Sequence, residues 1–136
     1  MRCSYADCLF VYGTLRKGSR HPMHRVLAQR ANFISGAVYQ GRLYSLGVFP
    51  GAIPSDAPGD RVYGEVYRLW QAAPSLLRRL DKYEGCSSLD GKRSLFRRTQ
   101  VLVTLESGQL ITAWIYLYNR PVRGLGSIPS GRYKSR

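Results

Sequence analysis

Eight acidic side chains occur in this 136-residue sequence, and few stand where proton chemistry is favoured. Asp56, Asp60, Asp90 and Glu106 fall in turn-like polar stretches, where solvation accounts for them. Glu65 lies within Val62-Tyr63-Gly64-Glu65-Val66-Tyr67, where it points either into a cavity or to an outer face beside an arginine. Glu84 is placed differently. It follows Leu76, Leu77, Leu80 and Tyr83, which are spaced as one helix face, and it precedes Gly85, the residue type of a left-handed C-cap. The negative end of a helix disfavours an ionised carboxylate and raises its pKa, as a general acid/base at neutral pH requires. An arginine beside Glu84 would lower the pKa instead, and spacing alone leaves the two readings level. Asp81, three residues earlier, either adds like charge near Glu84 or pairs with Arg78 at the surface.

Other chemistries find less support. His21 and His24 have helical i, i+3 spacing, but no third ligand stands nearby and Pro22 marks a helix start, so no metal site is expected. No Gly-x-Ser-x-Gly elbow or recognisable triad order supplies a nucleophile. Cys3, Cys8 and Cys86 form neither an even disulfide framework nor a CxxC pair, and free thiols are expected. The remaining stretch with chemical potential is Leu9-Phe10-Val11-Tyr12-Gly13. A strand that stops at glycine can aim successive backbone N–H groups at an anion, and glycine allows close approach of the backbone. An ordinary turn with Tyr12 in the core is the other reading.

The elements that must position these groups follow from periodicity. Residues 9–12 read as a buried strand, and Pro22 begins a helix carrying Met23, Val26, Leu27 and Arg30. A strand from Gly41 runs into a loop punctuated by Gly47, Pro50, Gly51 and Pro54. Val62 to Leu69 is a strand, with Gly64 inviting a bulge or a close backbone approach. Pro74 opens the helix that ends at Glu84. Strands over Arg98 to Leu105 and Leu110 to Tyr118 flank a hairpin turn at Glu106-Ser107-Gly108-Gln109, and an ordered tail follows from Pro121. Strands outnumber helices, so the fold class is α+β.

Composition sets the outer bounds. The length suits one domain over residues 1–136, and no repeat, low-complexity tract or polar linker marks a boundary. Asp7 and Arg16 bracket only a short apolar stretch, unlike a signal peptide, and no run approaches the ~20 apolar residues of a membrane span. No membrane association and a cytoplasmic location are expected. The 21 Lys and Arg against 8 Asp and Glu give a net charge of +13, enough to attract polyanions. The basic residues are scattered, and a solvated face accounts for them as well.

The string Phe10-Val11-Tyr12-Gly13-Thr14-Leu15-Arg16-Lys17-Gly18 resembles the signature loop of the γ-glutamylcyclotransferase-like (AIG2-like) proteins. Leu43 to Pro50, Val62 to Tyr67, Leu80 to Gly85 and Arg97-Arg98 resemble further family segments in family order. Within the family, the tail Tyr118 to Leu125 with Ile128 to Gly131 looks like the bacterial YtfP-like branch. The resemblance covers roughly residues 8–133. It implies a small mixed, closed or nearly closed β-barrel of about six strands, with two or three peripheral helices and a cavity at one end.

It also implies an enzyme that needs no cofactor and cyclises a small γ-glutamyl amine or amide to 5-oxoproline, releasing the free amine. The α-amine attacks its own γ-carbonyl, so one carboxyl group can take the proton from the attacking nitrogen and deliver it to the leaving one. The resemblance assigns that general acid/base role to Glu84. It assigns substrate binding to the loop Tyr12, Gly13, Thr14, Leu15 and Arg16, with the backbone of Gly13, Thr14 and Leu15 on the γ-glutamyl carboxylate. Asp81, Phe96 and Arg98 stand in support. Family members commonly carry tyrosine where this chain has Phe96, so activity here is weakened or redirected if that hydroxyl orders the substrate. The Gly85 to Leu95 loop, with its basic Lys92-Arg93, is expected to act as a lid. The alternative is a non-catalytic module of the same fold that contacts nucleic acid or an acidic partner through charge alone, with affinity that falls steeply with salt.

Overall fold

Alternation sorts the strands into two layers. In the computed structural model, which describes residues 8–13, 26–27, 29–47, 49–69, 73–83 and 94–133, strand β1 (Cys8–Val11) is buried along its whole length. Cys8 and Phe10 face one apolar cluster with Val62, Val66, Val103, Ala113 and Ile115, the barrel interior. Leu9 and Val11 face a second cluster outside the barrel with Leu76, Leu77, Leu80 and Tyr116. A strand with apolar layers on both sides reads as a continuous hydrophobic run, and the sequence is apolar throughout β1 for that reason.

The remaining strands are β2 (Asn32–Tyr39), β3 (Gly41–Ser45), β4 (Pro50–Pro54), β5 (Val62–Arg68), β6 (Phe96–Leu105) and β7 (Leu110–Tyr118). Five of them close a barrel in the order β1-β5-β2-β6-β7, and β3 and β4 form a separate antiparallel sheet. The barrel is therefore smaller than the expected six strands, because the β3–β4 hairpin pairs with itself. Its seam is the parallel pairing of β1 with β7, in register at Leu9 and Trp114, which makes the barrel mixed. Gly64 is a site of close approach, as expected: a Cβ there would lie 2.3 Å from the Val11 carbonyl oxygen and 2.7 Å from the Phe10 ring. The Glu106–Gln109 turn joins β6 to β7, with Gly108 at φ 91°.

Two strands were not expected from the sequence. β2 begins exposed and shifts register between Phe33 and Ser35, so its alternation is broken where a pattern would be sought. β4 carries proline at both ends and reads as a loop, yet it pairs on one side only, where proline is tolerated.

Helix α1 (Ala73–Tyr83) starts one residue before Pro74 and buries Leu76, Leu77 and Leu80 against the barrel. Each of these leucines contributes roughly 1.5–3 kcal/mol by leaving water. Val26, Leu27, Gln29 and Arg30 are helical too, in line with the helix expected after Pro22. No helix among the described residues is long and apolar enough to cross a membrane. Cys8 is disulfide-bonded, with its second cysteine outside the described residues, which corrects the free-thiol expectation at that position. An odd cysteine count leaves room for one such pair. The tail is ordered along β3 and β5 through Ile128 N–H to the Leu43 carbonyl (2.7 Å) and Tyr63 N–H to the Gly131 carbonyl (2.8 Å).

Candidate functional site

The C-terminal ends of β1 and β7 lie at the same end of the barrel because the two strands run parallel, and β6 begins there because Phe96 pairs with Tyr118. This end gathers Tyr12 and Gly13 from the first loop, the β3–β4 hairpin, and the last turn of α1. Of the residues picked out from sequence, Tyr12, Gly13, Asp81, Phe96 and Arg98 are described here. Thr14, Leu15, Arg16, Glu84 and most of the expected lid lie outside the described residues, as do His21 and His24.

Tyr12 continues the inward face of β1 and is buried. Its hydroxyl donates to the Tyr116 carbonyl oxygen (2.5 Å) and accepts from the Ala52 N–H (3.1 Å), joining the end of β1 to both β7 and the hairpin. The phenol thus braces the loop from within. Gly13 comes next, and a Cβ on it would lie 3.1 Å from Cγ of Pro50. Close packing against the hairpin is what glycine permits at this position. The hairpin is in turn pressed onto β7, since a Cβ on Gly51 would lie 2.9 Å from Cβ of Tyr118.

Asp81 does not stand beside Arg78 as a surface pair. Arg98 grips it through two bonds, Nε to Oδ1 (2.7 Å) and NH2 to Oδ2 (3.1 Å), and the Tyr116 hydroxyl donates to the same Oδ1 (2.6 Å). The Arg98 guanidinium also lies 4.3 Å from the centre of the Trp114 ring, a stacking that favours the planar fork of arginine. With its charge met by Arg98, Asp81 is a structural tie between α1 and β6. Sequence spacing missed this pair because Arg98 lies 17 residues further on. Tyr116 was missed altogether. The only available signal was its outward place in the alternation of β7, which core packing explains equally well.

Phe96 is buried, with its ring 6.1 Å from Phe49 and 5.8 Å from Tyr118. Tyr118 is the direct cross-strand partner of Phe96. Asn119 secures the entry to β6 through Nδ2 to the Ser94 carbonyl (3.0 Å) and its N–H to the Leu95 carbonyl (2.9 Å). Glu65 shares the outer face of β5 with Tyr67, whose hydroxyl donates to it at 3.3 Å. Burial, reinforced by the negative charge of Glu65, pushes the Tyr67 phenol well above its ordinary pKa.

Several aromatic residues among those described are committed to packing. Tyr12, Tyr39, Tyr44, Tyr67 and Tyr116 are all buried.

Comparison with known proteins agrees with this architecture. The family model described as gamma-glutamyl cyclotransferase, AIG2-like, matches residues 9–135. The Escherichia coli K12 gamma-glutamylcyclotransferase family protein YtfP is 38% identical over 130 residues, covering 94% of this chain and 96% of the relative. A gamma-L-glutamyl-butirosin B gamma-glutamyl cyclotransferase from Niallia circulans is 33% identical over 113 residues, covering 82% of this chain and 67% of the relative. The crystal structure of an AIG2-like protein from Mus musculus superposes with a TM-score of 0.69 at 24% identity, over 96% of each chain, and shares the fold.

Proposed function

This chain belongs to the gamma-glutamyl cyclotransferase, AIG2-like family, in its YtfP-like branch, and from that premise we propose that it cyclises a γ-glutamyl amine or amide to 5-oxoproline. The α-amine of the γ-glutamyl group attacks the γ-carbonyl carbon, a five-membered lactam forms, and the original C–N bond breaks to release the amine. Glu84 takes the proton from the attacking nitrogen and returns it to the leaving nitrogen. The reaction balances without an oxidant or reductant. Backbone N–H groups of the Tyr12–Arg16 loop hold the substrate carboxylate, and ring closure supplies the proximity.

The observation that carries this reading is the meeting of two elements. The end of β1, which leads into the loop, and the last turn of α1, which leads into Glu84, are both tied to β7 at the same end of the barrel. A general acid/base must lie within hydrogen-bond reach of its proton, and tying both elements to one strand supports that reading.

Incubating wild type and Glu84→Gln with a panel of γ-glutamyl amines, followed by measurement of 5-oxoproline, tests the proposal. Wild type should form product, and Glu84→Gln should lose about 10²–10⁴ in kcat. Product from both proteins, or from neither across the panel, overturns it.

A further inference from the structure

We infer that Tyr116 is the positioning residue that sets the separation between the substrate loop and the helix leading to Glu84. The inference rests on the reaction proposed above and assigns a role to a residue outside that chemistry.

Two bonds carry it, one from each layer of the fold. From the barrel interior, the Tyr12 hydroxyl donates to the main-chain oxygen of Tyr116. From the outer layer, the Tyr116 hydroxyl donates to Oδ1 of Asp81 at 2.6 Å, with the Leu77 carbonyl a longer 3.5 Å away on the same helix. One residue therefore touches the end of the strand that becomes the substrate loop and the last turn of the helix that precedes Glu84. The two contacts are joined through the Cα and Cβ of a single residue, and Tyr116 is 4% exposed, so close packing holds its side chain in one arrangement.

The neighbouring strand reinforces the arrangement. Arg98 is the direct cross-strand partner of Tyr116 and binds the same carboxylate through two bonds. Asp81 is consequently held from two adjacent strands, which limits rotation of α1 about its axis as well as its distance from β7. In a reaction whose acid/base and carboxylate anchor come from different elements, a misplacement of about 1 Å costs on the order of 100-fold in rate.

Tyr116→Phe removes only the hydroxyl and keeps the ring in the core. It should lower kcat by about 10- to 100-fold, with KM for the γ-glutamyl amine held within about threefold, at a temperature where circular dichroism shows the variant folded. Combining it with Tyr12→Phe should cost less than the product of the two single losses, because both act on one separation. Unchanged kcat in the folded Tyr116→Phe protein, or simple multiplication of the two losses, overturns the inference.

A readout independent of turnover separates this outcome from failure of the proposed reaction. In Tyr116→Phe, the amide resonances of Gly13 and Gly85 should both move, while that of Gly108 in the distant hairpin stays. If wild type forms no 5-oxoproline yet both amides move, the reaction assignment falls and the linkage stands. If only Gly85 moves, the linkage falls.

Discussion

Two aspartate–arginine pairs in this molecule use the same groups and do different things. Asp81 and Arg98 meet at 2.7 Å with 22% and 23% of their side chains exposed, in a two-bond grip to which a buried phenol adds a third donor. Asp60 and Arg42 meet at 3.0 Å through Nε and Oδ2, with 27% and 60% exposed, and Ser55 Oγ adds a 2.6 Å bond to the carboxylate. The second pair lines a cavity of about 410 Å³ between β3 and the tail, together with Tyr44, Arg61 and Ser127. Solvent screens a pair as exposed as Arg42–Asp60, and holding a long side chain in place offsets much of the attraction. Asp81–Arg98 is shielded, and its geometry is fixed by Tyr116 and Trp114. An ion pair locates a helix when its surroundings leave it one arrangement.

Breaking the shielded pair should have the largest effect. Arg98→Ala leaves the Asp81 carboxylate, largely removed from water, without its cation, and urea unfolding should show a loss of about 2–3 kcal/mol. A loss below that of the exposed pair would abolish the distinction. Arg42→Ala should cost under about 1 kcal/mol and should cost still less in concentrated salt, which the same unfolding curves would report.

The smallest effect sharpens the comparison with a third carboxylate, Glu65, whose described partner is a phenol. Burial raises the Tyr67 pKa first, and the charge and hydrogen bond of Glu65 add to it. A pKa raised by folding contributes stability that is fully present below the unfolded value, near 10 for a phenol, and is lost as pH rises through the folded value. Wild type should therefore lose stability above about pH 10, and Tyr67→Phe should flatten that alkaline decline. An equally steep decline in the variant would assign the alkaline limb to other groups.

Much of the framework was legible in the sequence because it depends on local order. The apolar run of β1, the leucine face of α1 and the glycine turn between β6 and β7 each record a periodicity or a backbone requirement carried by neighbouring residues. β2 and β4 were not legible. The first is interrupted by a register shift, and the second consists of residues that disfavour strands and is held by pairing with β3.

The site divides along the same line. The Tyr12–Gly13 stretch and the helix Ala73–Tyr83 could be found from residue order, and so could the family that unites them. What the sequence by itself determined was therefore the family and the segments that carry its resemblance, since strand, turn and helix are written in contiguous residues. That Asp81 turns to Arg98 and not to Arg78, that the Tyr12 phenol braces the barrel from within, and that Tyr116 contacts both Tyr12 and Asp81 were decided by tertiary structure alone. Those contacts join residues 17 to 104 positions apart, and only closure of the barrel brings them within hydrogen-bond distance.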